Sequence, residues 1–578
     1  MKALVDVMEE LGNPFSDRSN ELLTLDTKVI MPAESVESVK QAENLGKQQY
    51  KDFMSQRLTN EETSFYDPLT KNKLPLFRNK AIRQSSKSKE KIKAMKTDIN
   101  LFSRMYIACQ HRDGDIDNFF THENHSWPPA LSENNELRTG NKADLMEHLE
   151  NMCEHTGDMP SVDCIVIDGA AVCQSIDPHK TSEVINTFEE YATKAFIPFI
   201  TKHLRPVSRI DIVFDTYKAE SLKSFSRQNR GTGEPVHVAA GTRIPPNWKT
   251  FLRNDRNKTG LYQYLSKLVE AHEFMPEKTV LSTHGVRVLQ AVGVPDVDVD
   301  DLQPCTHEEA DHRMLLHAAH AFNNGAKSVM IYATDTDVVV LSVAVASLFT
   351  TCSLWVAFGH ARNFRYIPVH TISECLGPDT SWGLLLFHAI SGCDTVSAFG
   401  GVGKKTAFNT WKSMPEIHPL FKQLSLAPDS VTNEDIAVIE RFVVLMYSRT
   451  SPYQTVNEAR KHMFSYGNRQ IDKIPPTHSA LVQHILRAVY QSGHIWGQML
   501  LKDPPLPSPS EWGWIYESES GHWHPHWTTL PEASKGCQEL IKCNCKAVCH
   551  GRCKCRKANL PCTQLCHCSG TCERSSTD

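Results

Sequence analysis

The stretch Val329-Met-Ile-Tyr-Ala-Thr-Asp-Thr-Asp337 joins a short apolar run directly to two acidic residues. Such a run has the length and composition of a buried strand, with the aspartates placed where the strand would end. Similar runs end in acid at Ile165-Val-Ile-Asp168 and at Ile210-Asp-Ile-Val-Phe-Asp215. Because helical stretches separate these runs, the pattern predicts an α/β fold with a mainly parallel sheet flanked by helices.

The predicted elements cover the middle of the chain. Four strands and four helices carry the pattern, and residues 430–500 also look helical. The strands are Cys164–Ile167, Ile210–Phe214, Val329–Tyr332 and Leu354–Phe358, and the helices are Glu183–Ile197, Gly260–Ala271, Glu309–Phe322 and Trp382–Ile390.

Composition shifts along the 578 residues predict five regions. Four prolines between Lys502 and Ser510 indicate a stiff, extended linker. The regions are a polar, partly helical N-terminal part of unknown role (1–150), the α/β domain (151–425), a helical extension (426–500), a proline-rich linker (501–536) and a cysteine-rich module (537–578).

Charge and hydropathy exclude some classes of protein. The net charge is -5, so any contact with nucleic acid has to be local rather than a property of the whole chain. Residues Met1 to Leu11 lack the apolar core of a secretion signal. The longest apolar run, Val338 to Phe349, is shorter than the roughly 20 residues of a membrane span, so we expect no membrane association.

Acidic residues are expected to converge at one edge of the predicted sheet. Ligands of open α/β sheets bind beyond the carboxyl ends of the strands, where these acids lie. Further acids begin the helix after Pro304 and follow the helix that ends at Ile390. The full set is Asp168, Asp215, Glu309, Asp311, Asp335, Asp337 and Asp394.

Crowded carboxylates repel one another unless a cation joins them. All-oxygen sites suit Mg²⁺ or Mn²⁺, and two such ions about 4 Å apart can activate water against a phosphodiester. The alternative for each acid taken singly is an ordinary helix cap or loop residue.

A glycine-rich loop, Phe399-Gly-Gly-Val-Gly-Lys-Lys-Thr-Ala407, follows Asp394. Glycines allow close approach to a phosphate, and a helix starting near Lys404 would direct N–H groups at it. The loop is not a Walker A motif, because Lys405 stands where that motif has serine or threonine. We therefore predict contacts to a nucleic-acid backbone, the alternative being a glycine turn that opens an ordinary helix. The predicted contact residues are Gly401, Gly403, Lys404 and Lys405.

The segment from Gly392 to Ala407 resembles the helix–three-turn–helix of the flap endonuclease (XPG-type) family of structure-specific 5′ nucleases, which have a PIN-like fold. The strand-end acids resemble the metal ligands of that family in the same order. Glu309-Ala-Asp311 stands where the family has Glu-x-Glu, and Asp335-Thr-Asp337 where it has Asp-x-Asp.

This resemblance implies metal-dependent hydrolysis of phosphodiester bonds in DNA, with two Mg²⁺ or Mn²⁺ ions held by the seven acids. The stretch Leu222-Lys223-Ser224, with Arg227 and Arg230, is similar to the basic arch that engages the scissile phosphate in the family. The resemblance therefore implies catalytic roles for Lys223, Arg227 and Arg230.

Two other functions remain open from the sequence. The first is a nucleic-acid-binding protein, derived from a mobile element, that has the nuclease fold but no turnover. The second is a phosphatase of the haloacid-dehalogenase type, since its first motif is also a strand followed by Asp-x-Asp. That motif would make Asp335 the nucleophile and Asp337 the acid/base, but it leaves Asp168, Asp215 and Glu309 unexplained.

Ten of the 18 cysteines lie between Cys537 and Cys572. So short a segment has no apolar core of its own, and bound metal can supply its folding free energy. Without a secretion signal the compartment is expected to be reducing, which favours Zn²⁺ over the alternative of a disulfide knot. The regular series of thiolates is Cys543, Cys545, Cys549, Cys553, Cys555, Cys562, Cys566, Cys568 and Cys572.

The cysteine series resembles the CXC domain of tesmin-type DNA-binding proteins and of polycomb methyltransferases. The resemblance implies three Zn²⁺ ions with bridging sulfurs. Eight basic residues and only two acids lie between Lys535 and Arg574, so this segment is expected to contact DNA and to place the protein in the nucleus. The alternative is a purely structural module.

Overall fold

The structure of the chain is a computed structural model. It describes residues 21–24, 28–60, 63–64, 66–67, 106, 115–125, 127–133, 135–153, 158–218, 221–223, 233–293, 295–359, 363–465, 469–519 and 521–531. The chain divides into two compact units. The first comprises Met1–Gln84, Val172–Lys202 and Arg230–His272, and the second comprises Ser85–Ala171, His203–Asn229 and Glu273–Asp578.

A seven-stranded, mainly parallel sheet forms the centre of the second unit, which confirms the predicted fold class. Two short antiparallel pairs, β1–β2 and β10–β11, accompany it. The strands are β1 (Ser132–Glu133), β2 (Glu136–Leu137), β3 (Cys164–Asp168), β4 (Arg209–Val213), β5 (Thr279–His284), β6 (Arg287–Gln290), β7 (Ser328–Ala333), β8 (Ser353–Phe358), β9 (Arg365–Pro368), β10 (Trp514–Glu517) and β11 (His522–Pro525).

The strand order β6-β5-β4-β3-β7-β8-β9 places β3 in the middle of the sheet. The five strands from β5 to β8 in this order run parallel, and β6 and β9 pair antiparallel at the two edges. Asp168 pairs with Val213, and Ile167 pairs with Tyr332. The carboxyl ends of β4, β3 and β7 therefore lie side by side, and these are the three predicted strands that end in acid.

The helices alternate with the strands as the sequence predicts. In the first half of the chain they are α1 (Ala33–Met54), α2 (Ile116–Thr121), α3 (Ala143–Glu150), α4 (Gly169–Ser175), α5 (Phe188–Tyr191), α6 (Ile197–Leu204), α7 (Trp248–Phe251) and α8 (Asp255–Ala271). The later helices are α9 (Ala310–Asn323), α10 (Thr336–Ala346), α11 (Val369–Leu376), α12 (Pro378–Ile390), α13 (Lys404–Lys412), α14 (His418–Leu424), α15 (Asn433–Tyr447), α16 (Val456–Ser465) and α17 (His478–Val489).

Helix α10 contains most of the longest apolar run of the sequence and is buried along its whole length. It packs against α12, α11 and β8, so apolar residues are needed on every side of it. None of the helices in the described part of the chain is long and apolar enough to cross a bilayer.

A buried charged network explains why β4 contains an aspartate within an apolar run. Asp211 is fully buried, and both of its carboxylate oxygens accept hydrogen bonds from Arg209, at 2.7 and 2.6 Å. His317 of α9 contacts the same carboxylate at 2.7 Å. Burial opposes ionisation, but Arg209 and His317 hold the pKa of Asp211 well below its usual value. Asp211 and Arg209 thus form a structural ion pair in the core.

The boundaries of the α/β domain differ from the sequence prediction at both ends. Phe119, Phe120 and Leu145 belong to the N-terminal part to which no fold was assigned, yet they are buried in the same core as β3 and β7. The predicted linker is folded as far as residue 531, with Trp512 and Trp514 buried. Both segments contain large apolar side chains, and burying these side chains stabilises the folded state. The segments therefore fold although most of their residues are polar.

Three strands of the seven-stranded sheet were absent from the prediction: β5 and the two edge strands β6 and β9. The predicted helix Glu183–Ile197 begins only at Phe188 and passes through a π-helical turn, Ala192–Phe196, into α6. In the first unit, Phe188 packs on Trp248 and Phe251 with ring centroids 6.3 and 5.5 Å apart. The cysteine-rich module lies outside the described residues.

Stability is expected to fall below neutral pH because buried histidines stay neutral in the folded state. Burial, followed by the charge of Arg487, lowers the pKa of His484 to about 3. The unfolded chain protonates this ring near pH 6.5, so the folding free energy is lost as the pH falls through that window towards 3. His484→Gln keeps a donor for the carbonyl of Ile390 and should flatten the pH dependence of the thermal midpoint measured by circular dichroism.

The control is His179→Gln, which makes the same substitution at an exposed histidine. If the thermal midpoint of His484→Gln falls with pH as steeply as that of the wild type, His484 does not contribute to the loss of stability in acid.

Candidate metal centre

Three adjacent strands bring carboxylates to one edge of the sheet. Asp168 is the last residue of β3, Asp215 lies two residues beyond β4, and Asp335 lies two residues beyond β7. The order β4-β3-β7 makes these three strands neighbours. Their acids therefore lie where an open α/β sheet binds its ligands.

Backbone N–H groups orient each of these strand-end carboxylates. Asp168 accepts hydrogen bonds from the N–H groups of Ala170 and Ala171 at 2.8 and 3.0 Å. Asp335 caps α10 by accepting from the N–H of Asp337 at 3.0 Å. The capping role considered from the sequence is thus present, and it fixes the direction of the carboxylate without removing it from the cluster.

The remaining acids come from the starts of helices and from the loop after α12. Glu309 and Asp311 begin α9, and the N–H of Ala310 in the same turn donates to Asp215 at 2.9 Å. Asp337 lies in the first turn of α10, and Asp394 follows α12. Oxygens of Asp335, Asp337 and Asp394 all lie within 4.8 Å of one another. The structure thus places all seven predicted acids in one neighbourhood.

Two lysines lie among these acids. Lys142, which directly precedes α3, places Nζ 2.6 Å from Asp394, 2.9 Å from Asp337 and 3.6 Å from Asp335. Lys223 places Nζ 2.5 Å from Glu309 and 3.5 Å from Asp394. Lys223 was predicted at this site. Lys142 was not, because it lies in a polar segment without a recognisable motif.

The charge of the acids is balanced on one side of the cluster. Burial opposes ionisation of Asp337, but the hydrogen bond from His388 and the charges of His388, Lys142 and Lys223 hold its pKa well below its usual value. Burial also acts against ionisation of Asp394, whose pKa is nevertheless lowered by Lys223 and Lys142. Asp337 and Asp394 therefore stay ionised beside the lysines.

On the other side of the cluster the negative charge is not balanced. Burial, followed by the charges of Asp215 and Asp335, raises the pKa of Asp168 to about 7. Burial with the charges of Asp335 and Glu309 raises the pKa of Asp311 well above its usual range. These oxygens are a donor set that suits a hard divalent cation, which would let them ionise together.

A buried histidine and lysine support Asp337 from behind. His388 of α12 contacts Asp337 at 2.8 Å through Nε2, and Lys404 donates to Nδ1 of His388 at 3.1 Å. Lys404 also donates to Ser391 at 2.8 Å. A histidine within the apolar helix α12 is the sequence signal that could have identified this support.

The position of Lys404 contradicts its predicted contact with a nucleic-acid backbone. Its side chain is buried, and burial lowers its pKa to about 7. Gly401 has a left-handed φ of 76°, Gly403 precedes α13, and Lys405 is exposed with Nζ 3.4 Å from Glu147. The helix does begin at Lys404 as predicted, but its first lysine points into the core, where Nζ donates to His388 and Ser391 at the end of α12.

Two groups of predicted site residues lie outside the described residues. They are Arg227 and Arg230 of the basic arch, and the nine cysteines of the zinc module.

Comparison with protein-family models and with curated proteins finds no match to the chain. Among solved structures, the crystal structure of the T5 D15 protein co-crystallized with metal ions is similar, with a TM-score of 0.26 and 13% sequence identity. The similarity covers 56% of this chain and 99% of that chain. A similarity of this size assigns no function to the chain.

The two sides of the cluster should respond oppositely when one charge is removed in buffer without added Mg²⁺ or Mn²⁺. Asp168→Asn retains an oxygen for the N–H groups of Ala170 and Ala171 and removes repulsion, so it should stabilise the fold by about 1 kcal/mol at pH 8. Because the pKa of Asp168 is raised, the gain should shrink as the pH falls from about 7 towards 4. Asp337→Asn breaks buried pairs and should destabilise by about 3 kcal/mol.

Both changes can be measured by chemical denaturation. Equal losses of stability in the two variants would contradict the division of the cluster into a balanced and an unbalanced side.

Proposed function

We propose that the chain is a divalent-metal-dependent nuclease that hydrolyses phosphodiester bonds in DNA, similar to structure-specific 5′ nucleases. The observation that carries the proposal is the convergence of seven carboxylates at the carboxyl edge of the sheet, with charge left unbalanced around Asp168 and Asp311. Such a set of oxygens matches the ligand preference of Mg²⁺ and Mn²⁺.

The residues of the unbalanced side would hold the ion. Asp168, Asp215 and Asp335 supply oxygens that backbone N–H groups already orient, and Asp311 adds a fourth carboxylate from the first turn of α9. A divalent ion bound there supplies positive charge that acidifies water and stabilises the charge on a phosphate. Lys223 lies beside Glu309 at the edge of the cluster, where its ammonium group can donate a hydrogen bond to a phosphate oxygen.

A cavity of about 200 Å³ beside the cluster supports a nucleotide substrate. Lys223 and Glu309 line both the cavity and the cluster, so a bound molecule would lie next to the acids. Trp523 of β11 and Leu506 supply apolar surface, and base stacking on aromatic side chains stabilises bound nucleic acid. His312 lines the cavity with a buried Nε2 that has no hydrogen-bond partner, which a base can provide.

The cysteine-rich tail is the proposed means of recruitment. Its nine regularly spaced thiolates suit three Zn²⁺ ions, and its eight basic residues suit DNA in the nucleus. These assignments rest on the sequence pattern, since the tail lies outside the described residues.

The second candidate function is nucleic-acid binding without turnover. One observation favours it: Lys142 and Lys223 already neutralise part of the acid cluster, which reduces the demand for metal. Such a protein would bind the same substrates and leave them intact.

Cleavage of labelled 5′-flap, hairpin and single-stranded DNA in Mg²⁺ or Mn²⁺ tests the proposal. Asp168→Asn should lower the rate at least 100-fold, because it removes a carboxylate from the ion site while keeping the fold. The matched control is Asp379→Asn, which changes an exposed acid paired with Lys422 outside the cluster, and should retain wild-type activity. Binding of every substrate without cleavage in either metal would support the second candidate instead.

The cavity gives a separate expectation for substrate affinity. Trp523→Ala removes aromatic surface worth about 1–3 kcal/mol of stacking, so KM for DNA should rise roughly 5- to 100-fold with a smaller change in kcat. Ile515→Ala, at an exposed position of the neighbouring strand β10, is the control, because Ile515 does not line the cavity. An unchanged KM for Trp523→Ala would exclude the cavity as part of the substrate path.

A further inference from the structure

The ammonium group of Lys142 lies inside a cradle made by three of the acids. Its Nζ is 2.6 Å from Asp394 and 2.9 Å from Asp337, which are hydrogen-bond distances, and 3.6 Å from Asp335. These are the same three residues whose oxygens approach within 4.8 Å of one another. Lys142 therefore lies where a cation bound by this triad would have its ligands.

The backbone of Lys142 is fixed by the helix that it precedes. Leu145, Met146 and Leu149 of α3 are buried in the main core. At the far end of the helix, Glu150 accepts a hydrogen bond from Nε of Arg365 at 2.8 Å. His148 stacks on Phe408 of α13 with ring centroids 4.9 Å apart. The lysine is thus presented to the acids by an anchored element.

The acids outside this cradle have a different set of neighbours. In the part of the chain that the structure describes, neither lysine nor arginine forms an ion pair with Asp168, Asp215 or Asp311. Asp335 belongs to both groups, because it faces Lys142 and also acts electrostatically on Asp168 and Asp311. The cluster therefore has one half that contains a resident cation and one half that does not.

We propose that Lys142 is the second cationic centre of this site, so that the chain binds one divalent ion rather than two. The inference rests on the metal centre of the proposed function. The ion would be held by Asp168, Asp215, Asp311 and Asp335, and the ammonium group would take the place beside Asp337 and Asp394. Two-ion sites separate their ions by about 4 Å, and Asp335 faces both halves of the cluster here.

Lys142 acts as a positioning residue in this arrangement. Its hydrogen bonds to Asp337 and Asp394 hold these two carboxylates together, and no bond to the substrate is made or broken by it. A monovalent ammonium group also leaves more negative charge in the cluster than a second divalent ion would, so the bound ion is held more tightly.

The number of bound ions is the direct test. Titration of the full chain with Mn²⁺, followed by electron paramagnetic resonance of the free ion, should give one tight site in the wild type and two in Lys142→Met, which keeps the length of the side chain but removes its charge. Lys142→Arg retains the positive charge, so this variant should again have one tight Mn²⁺ site. Lys405→Met, at an exposed lysine outside the cradle, should also bind one ion.

Two outcomes overturn the proposal: two ions in the wild type, or the same number in the wild type and in Lys142→Met. If neither protein binds Mn²⁺, both this proposal and the proposed function fail. One ion in the wild type and two in Lys142→Met, without cleavage of any DNA, would support the role of Lys142 and reject the nuclease. Two ions in the wild type, together with cleavage of DNA, would reject the role of Lys142 and support the nuclease.

Amine labelling of the wild-type protein tests the same point if Lys142→Met does not fold. Mass spectrometry after brief acetylation should show Lys142 equally protected with and without saturating Mn²⁺, since the ion does not displace it. A several-fold rise in labelling of Lys142 on adding Mn²⁺ would overturn the proposal.

Discussion

Repulsion among carboxylates at the edge of a parallel sheet is the constraint around which this structure is arranged. The strand order β4-β3-β7 brings Asp168, Asp215 and Asp335 to adjacent strand ends, and helix starts add further acids to the same place. Backbone N–H groups and two lysines offset part of this charge. Strands β3, β4 and β7 and helices α3, α9, α10 and α12 therefore meet at one charged centre, while their packing rests on the apolar core.

The balance divides the cluster into two halves with different chemistry. Asp337 and Asp394 are ionised beside Lys142 and Lys223, whereas burial and mutual repulsion raise the pKa of Asp168 to about 7. A hard divalent ion would relieve that repulsion, and the neighbouring cavity, which Glu309 and Lys223 line, is where the proposed function would place a nucleotide. The proposed function therefore depends on electrostatics: the divalent ion would bind on the side of Asp168 and Asp311, where no lysine forms an ion pair in the described part of the chain.

The strand-end acids could be predicted from the sequence, because a short apolar run and the residue that follows it are both local features, and parallel strands bring their carboxyl ends together. Lys142 could not, since it lies far from the acids in sequence and only the packing of α3 brings it among them. Lys404 was predicted to face a phosphate. The start of its helix was correct, but the direction of a side chain depends on tertiary packing, and here it points at His388. The proline-rich segment folds because Trp512 and Trp514 find buried positions, which composition alone does not indicate.

Anomalous diffraction from crystals of the full chain grown with Mn²⁺ tests the central claim most directly. The account predicts a manganese peak coordinated by oxygens of Asp168, Asp215, Asp311 and Asp335, with the Nζ atom of Lys142 still between Asp337 and Asp394. A cluster without any manganese peak at saturating Mn²⁺ would contradict the claim that the unbalanced carboxylates form a metal centre.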